Sequence, residues 1–167
     1  GYTILVVNSA HIINAHLLRN LPYDTIKDFA PVGTLSSTEL LMVLHPSIPA
    51  NNLREFIAFA KSRPGQLNFA SAGTGGVFHL AGELFNTMAG VKIQHISYKG
   101  TAPAITDLIG GQVEMAFNVP FSVAPHIKNG RLKAIAISGE TRLTALPGVP
   151  TFTEGGLPGF DAKFWFG

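Results

Sequence analysis

The segment from Gln66 to Gly90, QLNFASAGTGGVFHLAGELFNTMAG, leaves the fewest structural options of any in the chain, because a short strand runs through a glycine-rich loop straight into an amphipathic helix. Val77, Leu80, Ala81, Leu84, Phe85 and Met88 recur at helical spacing, so one face is buried and the helix begins near Gly76 or Val77. Its first amide N–H groups have no partner within the helix. They point into Ser71-Ala72-Gly73-Thr74-Gly75-Gly76, where no bulky side chain keeps an anion from the backbone and from the positive end of the helix dipole. The loop therefore reads as a cradle for a phosphate or a carboxylate. A tight strand-to-helix turn without a ligand fits the same residues.

The pattern of that segment repeats along the chain. Thr3 to Val7 (TILVV) is a short apolar run of the kind expected in a strand buried on both faces, and a helix is expected from there to about Arg19. Val32 to Leu35 and Leu40 to Leu44 read as strands, and Asn51 or Asn52 is placed to cap a helix carrying Leu53, Phe56, Ile57 and Ala60 on one stripe. After the glycine loop, Gly90 stands where a helix C-terminus favours glycine. Val91 to Ser97, Val113 to Phe117 and Lys133 to Ser138 read as strands, separated by helices that begin near Pro103 and Pro120, and Lys163 to Phe166 as a last strand. Alternating strands and helices predict an α/β sheet that is mostly parallel. Ligands of such sheets sit beyond the carboxyl ends of the strands, which singles out Asn8 to His11, Ser71 to Gly76, Ser97 to Thr101 and Asn118 to Ser122.

Composition narrows the partners. With 12 basic and 10 acidic residues among 167, spread thinly, the chain has no clustered Lys/Arg footprint of the kind nucleic acids require. A 46% hydrophobic share against 13% charged excludes disorder. No apolar run reaches the roughly 18 residues of a membrane-spanning helix. The absence of cysteine excludes disulfides and thiolate chemistry, and is compatible with an oxidising compartment. The chain starts abruptly in one apolar run and stops in another, as expected of a piece of a larger protein.

Several catalytic and cofactor patterns fail on spacing. A dinucleotide fingerprint would need glycine where Phe78 stands, and a P-loop would need a Gly-Lys-Ser/Thr that is absent. Phe69-Ala70-Ser71-Ala72-Gly73 approaches the nucleophile elbow of hydrolases but lacks its first glycine; Ser71 as nucleophile, with His79 as a base, stays as an alternative. The six histidines lack metal-ligand spacing, and no metal or other cofactor is expected. His79 is expected to bond a neighbouring backbone group. Asp107, Glu83 and Glu114 form no paired-carboxylate pattern.

Seven ordered segments resemble one family, the Bug-type periplasmic solute receptors of tripartite tricarboxylate transporters. They are Gly1-Tyr2-Thr3; Leu21-Pro22-Tyr23-Asp24 with Lys27-Asp28-Phe29-Ala30-Pro31-Val32; Ala70-Ser71-Ala72-Gly73 with His79-Leu80-Ala81-Gly82-Glu83; Tyr98-Lys99-Gly100; Asp107-Leu108 with Gly110-Gly111-Gln112-Val113; Pro125-His126-Ile127-Lys128; and Leu146-Pro147-Gly148-Val149-Pro150-Thr151. The resemblance implies a type II periplasmic binding protein-like α/β fold that closes two lobes on a ligand, without enzymatic activity. It implies a small carboxylate ligand (a di- or tricarboxylate, an amino acid or an aromatic acid), an extracytoplasmic location and membrane permease subunits as partners.

Carried over residue by residue, the ligand contacts would be Ser71, Ala72, Gly73, Thr74, Gly75 and Gly76 from one lobe and Ser9 and Ala10 from the other, with Tyr98, Lys99 and Asn118 lining the cleft. Residues 41–140 would form one complete lobe, and 1–40 with 141–167 part of its partner. The chain departs from the family pattern in having Gly76 where serine is frequent and Asn118 where aspartate is common. It also lacks the family's N-terminal Pro-Gly-Gly loop and C-terminal helices.

Overall fold

The computed structural model describes residues 3–18 and 20–167; the expectations that fall on Gly1, Tyr2 and Arg19 lie outside the described residues. Local chemistry sets the element boundaries. In α2 (Leu53–Lys61) the Asn52 side chain accepts the Glu55 N–H at 2.9 Å, while the Glu55 carboxylate accepts the Asn51 N–H at 2.7 Å, a reciprocal cap that satisfies two orphan donors. α3 (Val77–Ala89) starts directly after Gly76 and ends on Gly90, whose φ of 61° is left-handed. Before them lie α1 (Ala10–Leu17), β1 (Ser36–Glu39) and β2 (Leu41–Leu44), and between them β3 (Leu67–Ser71). β4 (Ile93–Ser97), α4 (Thr101–Ile109), β5 (Met115–Asn118), α5 (Pro120–Lys128), β6 (Lys133–Ile137) and β7 (Lys163–Phe166) complete the order.

Five strands form the main sheet in the order β4-β3-β5-β2-β6. β3 is parallel to β4 and β5, whereas β2 is antiparallel to both β5 and β6. Four strands thus share a direction and β2 opposes them. The expected parallel sense rests on a helix returning the chain between strands. β2 has no such helix before it; it continues from β1 through the single buried residue Leu40, so its direction is inherited from another sheet.

All four residues of β2 are buried, as a central strand covered on both faces requires. Leu40, Met42 and Leu44 join Phe56, Phe69, Phe85 and Phe117 in one core; Leu41 and Val43 join Ala70, Ala104, Leu108 and Val123 in the other. This is the period-two alternation of a strand dividing two layers. Gly82 lets α3 lie directly on β3, for a Cβ there would fall 2.2 Å from the Phe69 ring. Residues near the end of the chain also pack here. Phe152 and Phe160, expected with the partner lobe, stack at 4.0 Å and belong to the same core as Phe117.

β1 and β7 make a separate antiparallel pair, with Ser36 opposite Phe166 and Glu39 opposite Lys163. The strand expected at Val32 to Leu35 is displaced to Ser36–Glu39, because pairing with β7 and not the apolar run defines it; Val32 and Leu35 are exposed. The run Thr3 to Val7 also departs from expectation. Val7 exchanges backbone hydrogen bonds with Gly167, at 2.8 and 3.0 Å, yet Ile4 is 85% exposed and Leu5 and Val6 are more than half exposed. No element among the described residues covers that run.

Candidate functional site

The carboxyl ends of β3, β4 and β5 lie side by side, so the loops that follow them share one edge of the sheet. Ser71 stands opposite Ser97 in the β3–β4 register, and the two loops are then joined by Tyr98 N–H donating to the Ser71 carbonyl at 2.9 Å and Gly100 N–H to that of Ala72 at 3.2 Å. α3, α4 and α5 all begin along this edge. Their N-cap residues, Gly76, Gly100 and Val119, supply no side-chain cap, and none of the three helices has an acidic residue in its first turn. α2, by contrast, is capped by Asn52 and carries Glu55 in its first turn. The edge therefore presents open N–H groups and the positive ends of three helix dipoles, a field suited to an anion without requiring formal charge. Lys99, exposed in the β4–α4 loop, adds a cation there.

Within the loop Ser71 to Gly76, backbone shape depends on two glycines. Gly73 has φ 155° and Gly75 has φ 80°, regions that residues with a Cβ avoid. Gly75 is also covered, for a Cβ on it would sit 2.8 Å from the Leu17 side chain, so the end of α1 rests on the loop. Thr74 is exposed, and Ala72 and Gly76 are half-buried.

Ser71 is buried, and its hydroxyl bonds the Gly73 carbonyl at 2.9 Å and meets His95 Nε2 at 2.6 Å. A carbonyl only accepts, so the single hydroxyl proton goes to Gly73 and His95 Nε2 must carry its own proton and donate. An imidazole protonated at that nitrogen cannot deprotonate Ser71, which argues against the nucleophile reading. His79, the base weighed for that reading, instead accepts the Gly75 N–H on Nδ1 at 3.0 Å, a backbone bond of the expected kind. Burial, and secondarily His79, push the His95 pKa down, while Glu83 opposes the shift.

The remaining candidates are distributed less evenly. The Tyr98 hydroxyl donates to Asp107 at 2.8 Å on α4, and burial together with that carboxylate pushes its pKa up to about 12. Asn118 is buried at the end of β5 and accepts the Val119 N–H on its own side chain at 3.1 Å. Ser9 is buried and its hydroxyl has no intramolecular partner, whereas the Ala10 N–H is taken by Asn8 at 2.9 Å. The structure thus ties the loop of residues 71–76 to Tyr98 and Gly100 by hydrogen bonds, with Lys99 between them in sequence. Sequence reasoning missed His95. Its signal was the strand alternation that sets Phe69, Ser71 and His95 on one face, invisible until β3 and β4 are paired in register. Among the described residues no group of three or more His, Asp or Glu side chains is disposed to hold a metal, and no helix is long and apolar enough to cross a membrane.

Known proteins share this sequence and this architecture. Residues 1–167 match the family model described as tripartite tricarboxylate transporter family receptor. Protein BugT of Bordetella pertussis is 38% identical over 99% of the chain and 52% of its own length. MatC from Rhodopseudomonas palustris, solved with bound malate, superposes with a TM-score of 0.88 at 32% identity over 97% of the chain and 55% of its own. An R. palustris protein solved with adipate gives 0.92 at 32% identity, over 99% of the chain and 56% of its own. The chain spans about half the length of the curated relatives it matches. Its fold is that of these periplasmic binding proteins, of whose chains it covers 55–56%. With its whole length matched by one family model and 38% of the aligned residues shared with BugT, the chain belongs to the tripartite tricarboxylate transporter receptor family.

Proposed function

We propose that the whole protein is an extracytoplasmic receptor that captures a small carboxylate and passes it to the membrane permease subunits of a tripartite transporter, with no chemistry performed on the ligand. The observation that carries this reading is the sheet edge where three successive helices begin uncapped and without an acidic residue in the first turn. Amide donors in a fixed array suit a carboxylate, and the malate and adipate held by two relatives are of that class. The Gly73 and Gly75 N–H groups are held by the Ser71 hydroxyl and His79, so the amides of Thr74 and Gly76, with Lys99 beside them, would grip one carboxylate; Ser9 and Ala10 would close from the other lobe, and Tyr98 and Asn118 would shape the cleft floor.

We place the second lobe at residues 41–140 together with the Phe152 to Phe160 segment that shares its core, and the rest with the first. Calorimetric titration of the whole protein with malate, adipate, citrate, acidic amino acids and aromatic acids tests the function. At least one should bind, and silence from all of them would overturn it. The present chain should bind far more weakly, and micromolar binding by it alone would refute the two-lobe clamp.

A further inference from the structure

Two imidazoles stand behind the glycine loop and each holds a different part of it. His79 Nδ1 accepts the Gly75 N–H at 3.0 Å, and His95 Nε2 donates to the Ser71 hydroxyl at 2.6 Å, which in turn binds the Gly73 carbonyl. The rings stack with centroids 3.8 Å apart and 25° between planes. Because His79 Nδ1 accepts, the proton of its neutral ring is on Nε2, which lies 3.8 Å from the Glu83 carboxylate. The accepting Nδ1 makes His79 a neutral ring protonated at Nε2; His95 carries a proton on Nε2, and burial favours its neutral form.

Adding a proton to His79 turns Nδ1 into a donor facing the Gly75 N–H, and two donors cannot share that bond. Adding one to His95 puts a cation against the neighbouring ring, with the Phe69 ring 5.0 Å away. The charged or titratable groups acting on this pair are Glu83, on the same helix as His79, and the two rings on each other across α3 and β4; Glu83 favours the cation, but it does not restore the lost Gly75 bond. We propose that His79 and His95 are positioning residues that hold the glycine loop in its amide-presenting shape only while both rings are neutral, so that carboxylate capture weakens as pH falls. The ligand half of this proposal rests on the carboxylate reading above. Its direction is opposite to simple attraction, since extra positive charge near the loop would tighten an anion.

The test uses the whole protein, with malate and adipate as probes, from about pH 8 down to about pH 5.5, the range in which histidine titrates. Affinity should fall as pH falls, by up to about tenfold per pH unit for each ring proton that must be absent for binding. His79→Asn keeps an acceptor near Nδ1 and His95→Gln a donor near Nε2, and neither titrates. The double variant, checked for folding by circular dichroism, should show a flat profile once the acids' own ionisation is subtracted. Ring nitrogen and Gly75 amide resonances of the wild type, followed by NMR without ligand, should move together in one titration.

Identical profiles for wild type and variant, affinity that rises at low pH, or a protonated His79 Nδ1 at neutral pH would each overturn the proposal. If neither probe binds at any pH, the ligand-free resonances decide it alone, with independent titration refuting it. A failure of the carboxylate reading therefore shows in the binding arm only.

Discussion

The chain carries two apolar runs of nearly the same character with opposite fates. Leu41-Met42-Val43-Leu44 is wholly inaccessible, while Ile4-Leu5-Val6 stands largely in solvent. Composition does not separate them. β2 has strands on both edges and a helical layer on each face, whereas the first run, among the described residues, is bonded only near its end, to the residue after β7. Each large aliphatic side chain left in water forgoes about 1.5–3 kcal/mol of burial. An apolar run states what a segment would gain from burial; it does not supply the neighbours.

The same contrast runs between helix starts. α2 is closed by its own side chains, and the three helices at the sheet edge are left open. The first arrangement serves stability and the second leaves donors for a ligand.

Substitutions graded by size of effect would break or sharpen this contrast. Phe85→Ala, at a fully buried position that stacks on Phe56, should destabilise the chain by about 3–5 kcal/mol in urea unfolding. A loss under about 1 kcal/mol would mean that the core of this lobe is not the close-packed one described. Gly82→Ala should cost about 1–3 kcal/mol, since its methyl group would overlap Phe69 unless α3 lifts off the sheet; thermal unfolding without loss would deny that close approach. Asn52→Ala removes the cap of α2 and should cost about 1 kcal/mol, with the far-ultraviolet signal showing the helix start frayed. Ile4→Ser should fall within about 0.5 kcal/mol, as befits an exposed position, and a larger loss would show that the first run is covered after all.

Features governed by three or four neighbouring residues were readable directly. Asn52 caps, Gly76 precedes α3, Gly90 closes it, and Lys163 to Phe166 is a strand, because each choice rests on local dihedrals or on a short repeat of side chains. The glycine loop was recognisable as a candidate anion site for the same reason. Its internal bracing was not. Ser71 and His95 are 24 residues apart, and their bond exists only because β3 and β4 pair in one register. Phe152 and Phe160 likewise gave no local sign that they would complete the core beneath Phe117.

By itself the sequence determined where the helices begin and end, which loop exposes amides, and to which family pattern the chain conforms. Only the tertiary structure decided the opposed direction of β2, the exposure of Ile4 to Val6, and the stacked histidine pair behind the loop. The physical reason is one of range: capping and periodicity act within a turn of chain, whereas burial, register and hydrogen-bond direction depend on which distant segments arrive alongside.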